Sequence, residues 1–300
     1  MYAGESGNMT GKCKGGKRLK IRFTKMQGCG NDYVYINGFE EKIPQDKKPD
    51  FVRFASDRHF GIGGDGVIFI NPSDEADFEM EMYNADGSRS EMCGNGIRCV
   101  AKYVHDRGLT DQEKFTVISG GSIKQMELTV QNGETTTVRV DMGEPVLKAE
   151  LVPVVTQKEQ AVDEPIEVGG REYRMTCICM GNPHAVVFVE DTDGFGLEQT
   201  GPLFETHERF PRRTNTEFVQ IISGDHVKMR VWERGTGETL ACGTGCCATA
   251  AACFLNGHTG RKVTVDVLGG SILVEWDEKS NHIFMTGPAE FVFDGEIEYC

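Results

Sequence analysis

Cys93-Gly94-Asn95-Gly96 and Cys242-Gly243-Thr244-Gly245 present a cysteine, a glycine, a polar residue and a second glycine in the same order. Each tetrad leads into a helix-prone run. Ile97, Val100, Ala101 and Val104 recur at helical spacing before Gly108, and an alanine-rich stretch from Cys246 to Asn256 stops at Gly257. The pattern predicts each sulfur at a helix N-terminus, where unpaired N–H groups and the helix dipole favour an anion and lower a thiol below its ordinary value. The glycines let backbone amides approach a ligand closely. One such thiol beside a base would suggest a hydrolase with an acyl-enzyme. Two equivalent thiols facing each other across a cleft suggest proton removal on one face of a carbon and delivery on the other, one sulfur as thiolate and one as thiol. A substrate carboxylate between the two helix starts would meet N–H groups that stabilise the charge developing as the α-proton leaves. Such stereoinversion needs no cofactor, and no segment looks like a pyridoxal phosphate site.

Two like sites require two like units, and the chain contains them. At the offset of 149 that carries Cys93 onto Cys242, Tyr83 falls on Trp232, Gly66 on Asn215, Gly108 on Gly257, and Gly120-Gly121-Ser122-Ile123 on Gly269-Gly270-Ser271-Ile272. Gly30-Asn31-Asp32-Tyr33 falls on Gly181-Asn182-Pro183-His184 at an offset of 151. In the first copy, 21–27 and 33–37 read as a hairpin or bulged strand, 50–60 as a short helix, 67–70 as a buried strand and 78–83 as an alternating strand; strands 115–118, 123–130 and 136–142 follow the central helix. The second copy offers 175–180, 185–189, 227–232, 263–267, 271–276 and 282–286. This order predicts an α+β fold of two pseudo-symmetric halves, each a mostly antiparallel β-sheet wrapped around a central helix, with the site in the cleft between them. The expected division is a flexible N-terminal tail over 1–18, a first half over 19–145 and a second over 146–286. The leftover strand Glu290–Tyr299, within 287–300, would return to complete the first half.

Lys plus Arg number 32 and Asp plus Glu 46, a net charge of −14 over 300 residues. So acidic a chain lacks the basic footprint of a nucleic-acid or anionic-membrane partner. Eleven cysteines would form a disulfide framework only in an oxidising compartment. Met1 to Lys20 is rich in glycine and lysine without the apolar stretch of a secretion signal, and no window is apolar enough for a membrane span. The expectation is a cytoplasmic protein whose thiols are reactive groups or core filler, the latter for Cys99, Cys247 and Cys253. Neither Cys177 with Cys179 nor Cys242 with Cys246 has the partner pair of a zinc site, so no metal is expected. Gly61-Ile62-Gly63-Gly64-Asp65-Gly66 has G-x-G-x-x-G spacing, but a helix precedes it and a strand follows, the reverse of the dinucleotide-binding order.

Several segments together resemble the diaminopimelate epimerase family from about Leu19 to the C-terminus. They are Gly28-Cys29-Gly30-Asn31-Asp32-Tyr33, Asn84-Ala85-Asp86-Gly87, Cys93-Gly94-Asn95-Gly96-Ile97-Arg98-Cys99, Gly181-Asn182-Pro183-His184, and the run from Glu233-Arg234 through Cys242-Gly243-Thr244-Gly245. The resemblance implies a cofactor-independent isomerase that interconverts LL- and meso-2,6-diaminoheptanedioate, a step toward lysine and peptidoglycan precursors, and that works as a homodimer on this small amino-acid substrate. It implies Cys93 and Cys242 as the acid/base pair, with the amides of Gly94, Asn95, Gly243 and Thr244 around the reacting carboxylate. Asn31 and Glu233 would contact the amino group beside the inverted carbon, with His184 near it in support of catalysis. Asn84, Asn182, Asn215 and Arg234 would read the distal amino-acid end, where a guanidinium suits a second carboxylate and amides suit a zwitterion.

Two positions depart from the family pattern. Gly66 stands where some members carry glutamine, which removes one polar contact, and Cys29 would add a third thiol near the site. The competing readings are a racemase for histidine, proline or hydroxyproline, against which Arg234, Asn84 and Asn215 argue; a non-catalytic amino-acid binding protein, which would need neither thiol; and a thiol redox enzyme with a working Cys93–Cys242 disulfide.

Overall fold

Tyr33 and Tyr35 pack to one side of their strand and Val34 and Ile36 to the other, and all four are buried. Ile68 and Ile70 are divided from Val67 and Phe69 in the same way. Strands apolar on both faces must be covered on both, and the architecture follows from that need. The computed structural model describes residues 19–90 and 92–299; the tail expected over 1–18 lies outside the described residues.

The first run of elements is β1 (Leu19–Gly28), β2 (Asn31–Asn37), α1 (Lys48–Ser56), β3 (Gly66–Asn71), β4 (Phe78–Asn84), β5 (Arg89–Ser90), α2 (Gly94–Asp106), β6 (Lys114–Ser119), β7 (Ser122–Gln131) and β8 (Glu134–Gly143). After β9 (Glu164–Val168) the order repeats as β10 (Arg171–Cys179), β11 (Pro183–Phe188), α3 (Leu197–Glu205), β12 (Asn215–Ser223), β13 (His226–Glu233), β14 (Gly237–Glu238), α4 (Gly243–Leu255), β15 (Lys262–Val267), β16 (Gly270–Trp276) and β17 (Ile283–Gly287), and β18 (Glu290–Tyr299) ends the series.

In the first run β1 is antiparallel to β2, β2 parallel to β3, β3 antiparallel to β4 and β4 parallel to β6, and β6, β7 and β8 form an antiparallel meander. The second run makes the same series from β10 to β17. The outer edge of β1 is taken by β18, with Leu19 opposite Tyr299, and the equivalent edge of β10 by β9. At the other end β8 pairs with β17, with Val138 opposite Gly287 and Val140 opposite Met285. The sheet-dominated α+β class is as expected, but the β8–β17 ladder joins the two sheets into a single one of 18 strands.

α2 and α4 lie within this sheet. Ile97, Val100 and Val104 of the first and Cys246, Ala250 and Cys253 of the second share one apolar core with Tyr35, Ile68, Val219 and Val265. α1 and α3 cover the outer faces, Phe51 and Val52 against Ile36 and Phe69, and Phe204 against Val187 and Phe218. α4 is apolar on nearly every side, as an enclosed helix has to be. Cys99, Cys247 and Cys253 are fully buried core residues in these helices.

Some boundaries differ from the periodicity. α1 ends at Ser56 because the Asp57 carboxylate accepts the N–H groups of His59 and Phe60 and turns the chain out. α4 begins at Gly243, three residues before the alanine run, since Gly243 and Gly245 form its first turn despite their poor propensity. α3, β9 and β12 escape the reading of apolar spacing, although the repeat maps β12 onto β3.

Candidate active site

Cys93 caps α2 and Cys242 caps α4, each in extended backbone just before the first helical turn. The two helices meet head to head. A Cβ on Gly94 would lie 3.5 Å from Gly243 Cα, one on Gly243 would lie 3.3 Å from Gly94 Cα, and either would press on Met285. Glycine at both positions allows this approach. Asn95 bridges the two runs, its Nδ2 donating to Ala241 O at 3.2 Å, and its Oδ1 is buried with no partner among the described residues.

Donors converge on Cys93. Its sulfur accepts from Gly96 N–H at 3.3 Å with Asn95 N–H and the Tyr33 hydroxyl nearby, while the thiol donates to Asn31 Oδ1 at 3.2 Å. Asn31 Nδ2 donates to Asp65 Oδ2 at 2.6 Å, and Arg58 pairs with both Asp65 and Asp32. The surroundings of Cys242 are more acidic. The Thr244 hydroxyl lies 3.5 Å from the sulfur and Gly245 N–H faces it, but the carboxyl groups of Glu233 and Glu217 both stand near it. Thr239 donates to Glu233 Oε1 at 2.5 Å, and burial keeps the Glu233 carboxyl above the usual carboxylate range. His184, fully buried, places Nδ1 2.7 Å from Glu217 Oε1 and Nε2 2.9 Å from Asn182 Oδ1.

The thiols are not lowered, contrary to the expectation from their place at helix N-termini. Burial pushes both above the ordinary value, Cys242 the further. The backbone N–H groups act in the expected direction, but a helix terminus contributes about 0.3–1 kcal/mol. Desolvation of a thiolate is worth up to several pKa units, each about 1.4 kcal/mol. Glu233 adds repulsion at both sulfurs, and Glu217 adds more at Cys242.

Asn215 ties two segments together, Nδ2 donating to Pro183 O at 2.8 Å and Oδ1 accepting from Arg234 N at 2.9 Å. Arg234 is exposed, and its guanidinium donates to Arg212 O at 3.1 Å. Asn31, Cys93, Gly94 and Asn95 thus meet Gly243, Thr244, Cys242, Glu233, His184 and Asn182 in one place, with Asn215 and Arg234 at its border. Asn84, exposed at the end of β4, lies opposite Gly66 in the ladder with β3, beside Asp65, and its Nδ2 donates to Ser88 Oγ at 3.0 Å.

The two departures take a different meaning in three dimensions. A Cβ on Gly66 would lie 2.0 Å from Tyr83 O and 3.0 Å from Tyr33, so this backbone has no room for the glutamine. Cys29 is buried at a φ of 52°, its sulfur 3.7 Å from Arg98 Nη2 and its carbonyl against Gly269. It packs the seam between the two runs against Arg98, whose Nη1 also donates to Gly94 O.

Sequence reasoning missed Tyr33, Asp65, Thr239 and Glu217. Asp65 was hidden inside the glycine-rich motif. Glu217 had a signal, since it is a carboxylate directly before the mostly apolar run Phe218–Ile222, at the position the repeat maps from Ile68. Among the described residues no group of three or more His, Cys, Asp or Glu could hold a metal ion, and no helix is long and apolar enough to cross a membrane.

A sequence model of the family described as diaminopimelate epimerase matches residues 23–148 and 176–292. A diaminopimelate epimerase of Methanococcus maripaludis is 54% identical over 278 residues, spanning 93% of this chain and 100% of the relative. One of Agathobacter rectalis is 57% identical over 285 residues, spanning 93% and 99%. Among solved structures, a phenazine biosynthesis protein of the PhzF family from Bacillus anthracis matches with a TM-score of 0.68 at 16% identity, over 93% of this chain and 99% of that one. A hydroxyproline epimerase from Agrobacterium vitis, with bound trans-4-hydroxy-L-proline, matches with a TM-score of 0.67 at 16% identity, over 93% and 92%. At that identity the last two speak for the fold alone.

Proposed function

The chain belongs to the diaminopimelate epimerase family, and we propose that it inverts one α-carbon of 2,6-diaminoheptanedioate, interconverting the LL and meso isomers, with Cys93 and Cys242 as the two bases. The observation that carries this reading is the pair of capping thiols on helices that meet end to end at Gly94 and Gly243. A carboxylate seated at that junction meets N–H groups of Gly94, Asn95, Gly243 and Thr244, and the α-carbon it carries has a sulfur on either side. The thiolate takes the α-proton. The electron pair left on carbon spreads into the carboxylate, whose growing charge the helix N–H groups stabilise. The opposite thiol then delivers its proton to the other face, and the enzyme is left with the two roles exchanged.

In this reading Asn31, Glu233 and His184 serve the amino group beside the reacting carbon. Asn84, Asn182, Asn215 and Arg234 serve the distal end, where the exposed Arg234 guanidinium is free to turn toward a second carboxylate. The steps use these side chains alone, without a cofactor. The same reading has the protein as a cytoplasmic homodimer in lysine and peptidoglycan precursor synthesis, built of units 19–145 with 287–300 and 146–286.

Proton NMR of the reduced protein with the LL isomer in heavy water tests the assignment. The expected result is loss of one α-proton signal with the meso isomer accumulating; no exchange by folded, fully reduced protein would overturn it. Cys93→Ala and Cys242→Ala should each lower turnover by about 10³-fold at a nearly unchanged melting temperature. Near wild-type turnover in either variant would rule out the two-base route.

A further inference from the structure

The repeat puts Ile68 of β3 and Glu217 of β12 at the same place in the fold. Each faces the first turn of the enclosed helix. A Cβ on Gly96 would lie 2.7 Å from Ile68 Cδ1 and 3.5 Å from Cys93 Sγ, and one on Gly245 would lie 2.7 Å from Glu217 Oε1 and 3.3 Å from Cys242 Sγ. A methyl group therefore stands beneath one capping sulfur and a carboxylate beneath the other. Glu217 and His184 are both fully buried, their 2.7 Å contact uses Oε1, and Glu217 Oε2 has no partner among the described residues. The repeat mate of His184 is Tyr33, whose hydroxyl lies near Cys93. A buried carboxylate is far costlier than an isoleucine in the same pocket, so its presence on one side only calls for a role.

The groups around the two sulfurs differ in the same sense. Cys93 receives the N–H group of Gly96, has Asn95 N–H and the Tyr33 hydroxyl nearby, and meets one neutral acceptor, Asn31 Oδ1. Glu233 reaches it only as a more distant charge. Cys242 has the Thr244 hydroxyl at 3.5 Å and no N–H cap bond from its own helix, and it faces the carboxylates of Glu233 on β13 and Glu217 on β12. His184 on β11, Cys177 on β10 and Cys246 on α4 are the other titratable groups around Glu217.

We propose that Glu217 is a positioning residue that polarises the thiol pair: together with His184 it holds the proton on Cys242 and makes Cys93 the sulfur that ionises first in the substrate-free protein. The proposal rests on the two-base reading and goes beyond it by assigning which sulfur begins in which role. Once the pair has lost one proton, the proton that remains sits on Cys242. From this state Cys93 takes the substrate proton and Cys242 gives up its own, so proton count and charge balance across the step.

The rate of alkylation by iodoacetamide, followed against pH and read separately for each cysteine by peptide mass, tests this. Exposure changes the plateau rate, whereas ionisation sets the midpoint. In the wild type the Cys93 midpoint should lie at least about one pH unit below that of Cys242, a tenfold difference in thiolate. Glu217→Gln keeps a hydrogen-bond partner for His184 Nδ1 and should lower the Cys242 midpoint by about one unit, with that of Cys93 unmoved. Glu217→Ile, the residue the repeat itself uses, should do the same. An unmoved Cys242 midpoint in folded Glu217→Gln protein, or a wild-type Cys242 midpoint below that of Cys93, would overturn the proposal. The wild-type order is read without any variant, so it decides even where both variants fail to fold. Alkylation needs no substrate. A protein that shows the shift yet leaves the LL isomer untouched would overturn the assignment of function and not the polarity of the pair.

Discussion

Cys177, Cys247 and Cys253 lie among apolar side chains, and burial pushes each to about 12. In the unfolded chain these thiols ionise near 9.0. A raised folded value means that the native state binds the proton more tightly, so this stabilisation is complete below pH 9 and is lost as pH rises from there toward 12. At pH 10 each such thiol withdraws about 1.4 kcal/mol from the folding free energy. The denaturant midpoint should therefore fall between pH 8 and pH 10, and fall less in a Cys247→Ala/Cys253→Ala double variant. A midpoint with the same pH dependence in both proteins would show that these thiols are not the cause. The same physics explains what could be read from residue types alone. Cysteine before a glycine and a helix, twice, identifies Cys93 and Cys242 without any coordinates. The direction of their titration could not be read, because burial belongs to the sheet that surrounds them and overrides the local helix terminus.

At the scale of elements, the site depends on how closely α2 and α4 approach. A Cβ on Gly243 would lie 3.1 Å from Met285 Sδ and 3.3 Å from Gly94 Cα. The methionine can swing aside, but the Gly94 backbone is fixed by its own helix, so Gly243→Ala has to part the two helix starts by a few tenths of an ångström. Proton transfer between groups held at near-attack distance is sensitive to displacements on that scale. The variant should lose about 10²-fold in kcat/KM while its melting temperature falls by only about 2–4 °C or less. Wild-type kcat/KM in Gly243→Ala would show that the approach of the helices is not part of the machinery. The elements themselves were legible wherever apolar residues alternate or recur at helical spacing, as in β4, β13 and α2. They were not where the spacing is broken: the first turn of α4 is two glycines and a threonine, and β12 carries Glu217 at an inward position. In both cases the repeat holds information that propensity does not, since Gly243 and Glu217 sit where Gly94 and Ile68 sit.

At the scale of the whole molecule, the two ends of the described chain are bound to each other. β18 runs beside β1 from the Leu19–Tyr299 pair to the Gln27–Glu290 pair. Phe293 stacks edge-on against Phe23 at 5.8 Å, Arg107 pairs with both carboxylate oxygens of Asp294 at 2.8 and 2.7 Å, and Thr24 donates to Asp294 at 2.6 Å. Just before β18, Pro288 O accepts from the buried guanidinium of Arg98, one turn along the helix that Cys93 caps. The leftover strand in the sequence has a physical necessity here. Without it β1 presents an unpaired edge, Phe23 loses its aromatic partner, and the apolar layer under α1 opens. Because that ladder links residues more than 260 apart in sequence, the first sheet cannot be completed until the last strand has been made, and its formation is a late, long-range step. A chain ending at Ala289 keeps Cys93, Cys242 and every side chain placed around them. If the strand were an appendage, that chain would epimerise normally and melt cooperatively. The expected outcome is the reverse: a broad or absent thermal transition, loss of turnover, and association through the exposed β1 edge seen as species larger than the full-length protein in sedimentation. A truncated chain with wild-type turnover and a sharp melt would mean that α2 and its capping thiol are held by the sheet from β2 to β8 alone.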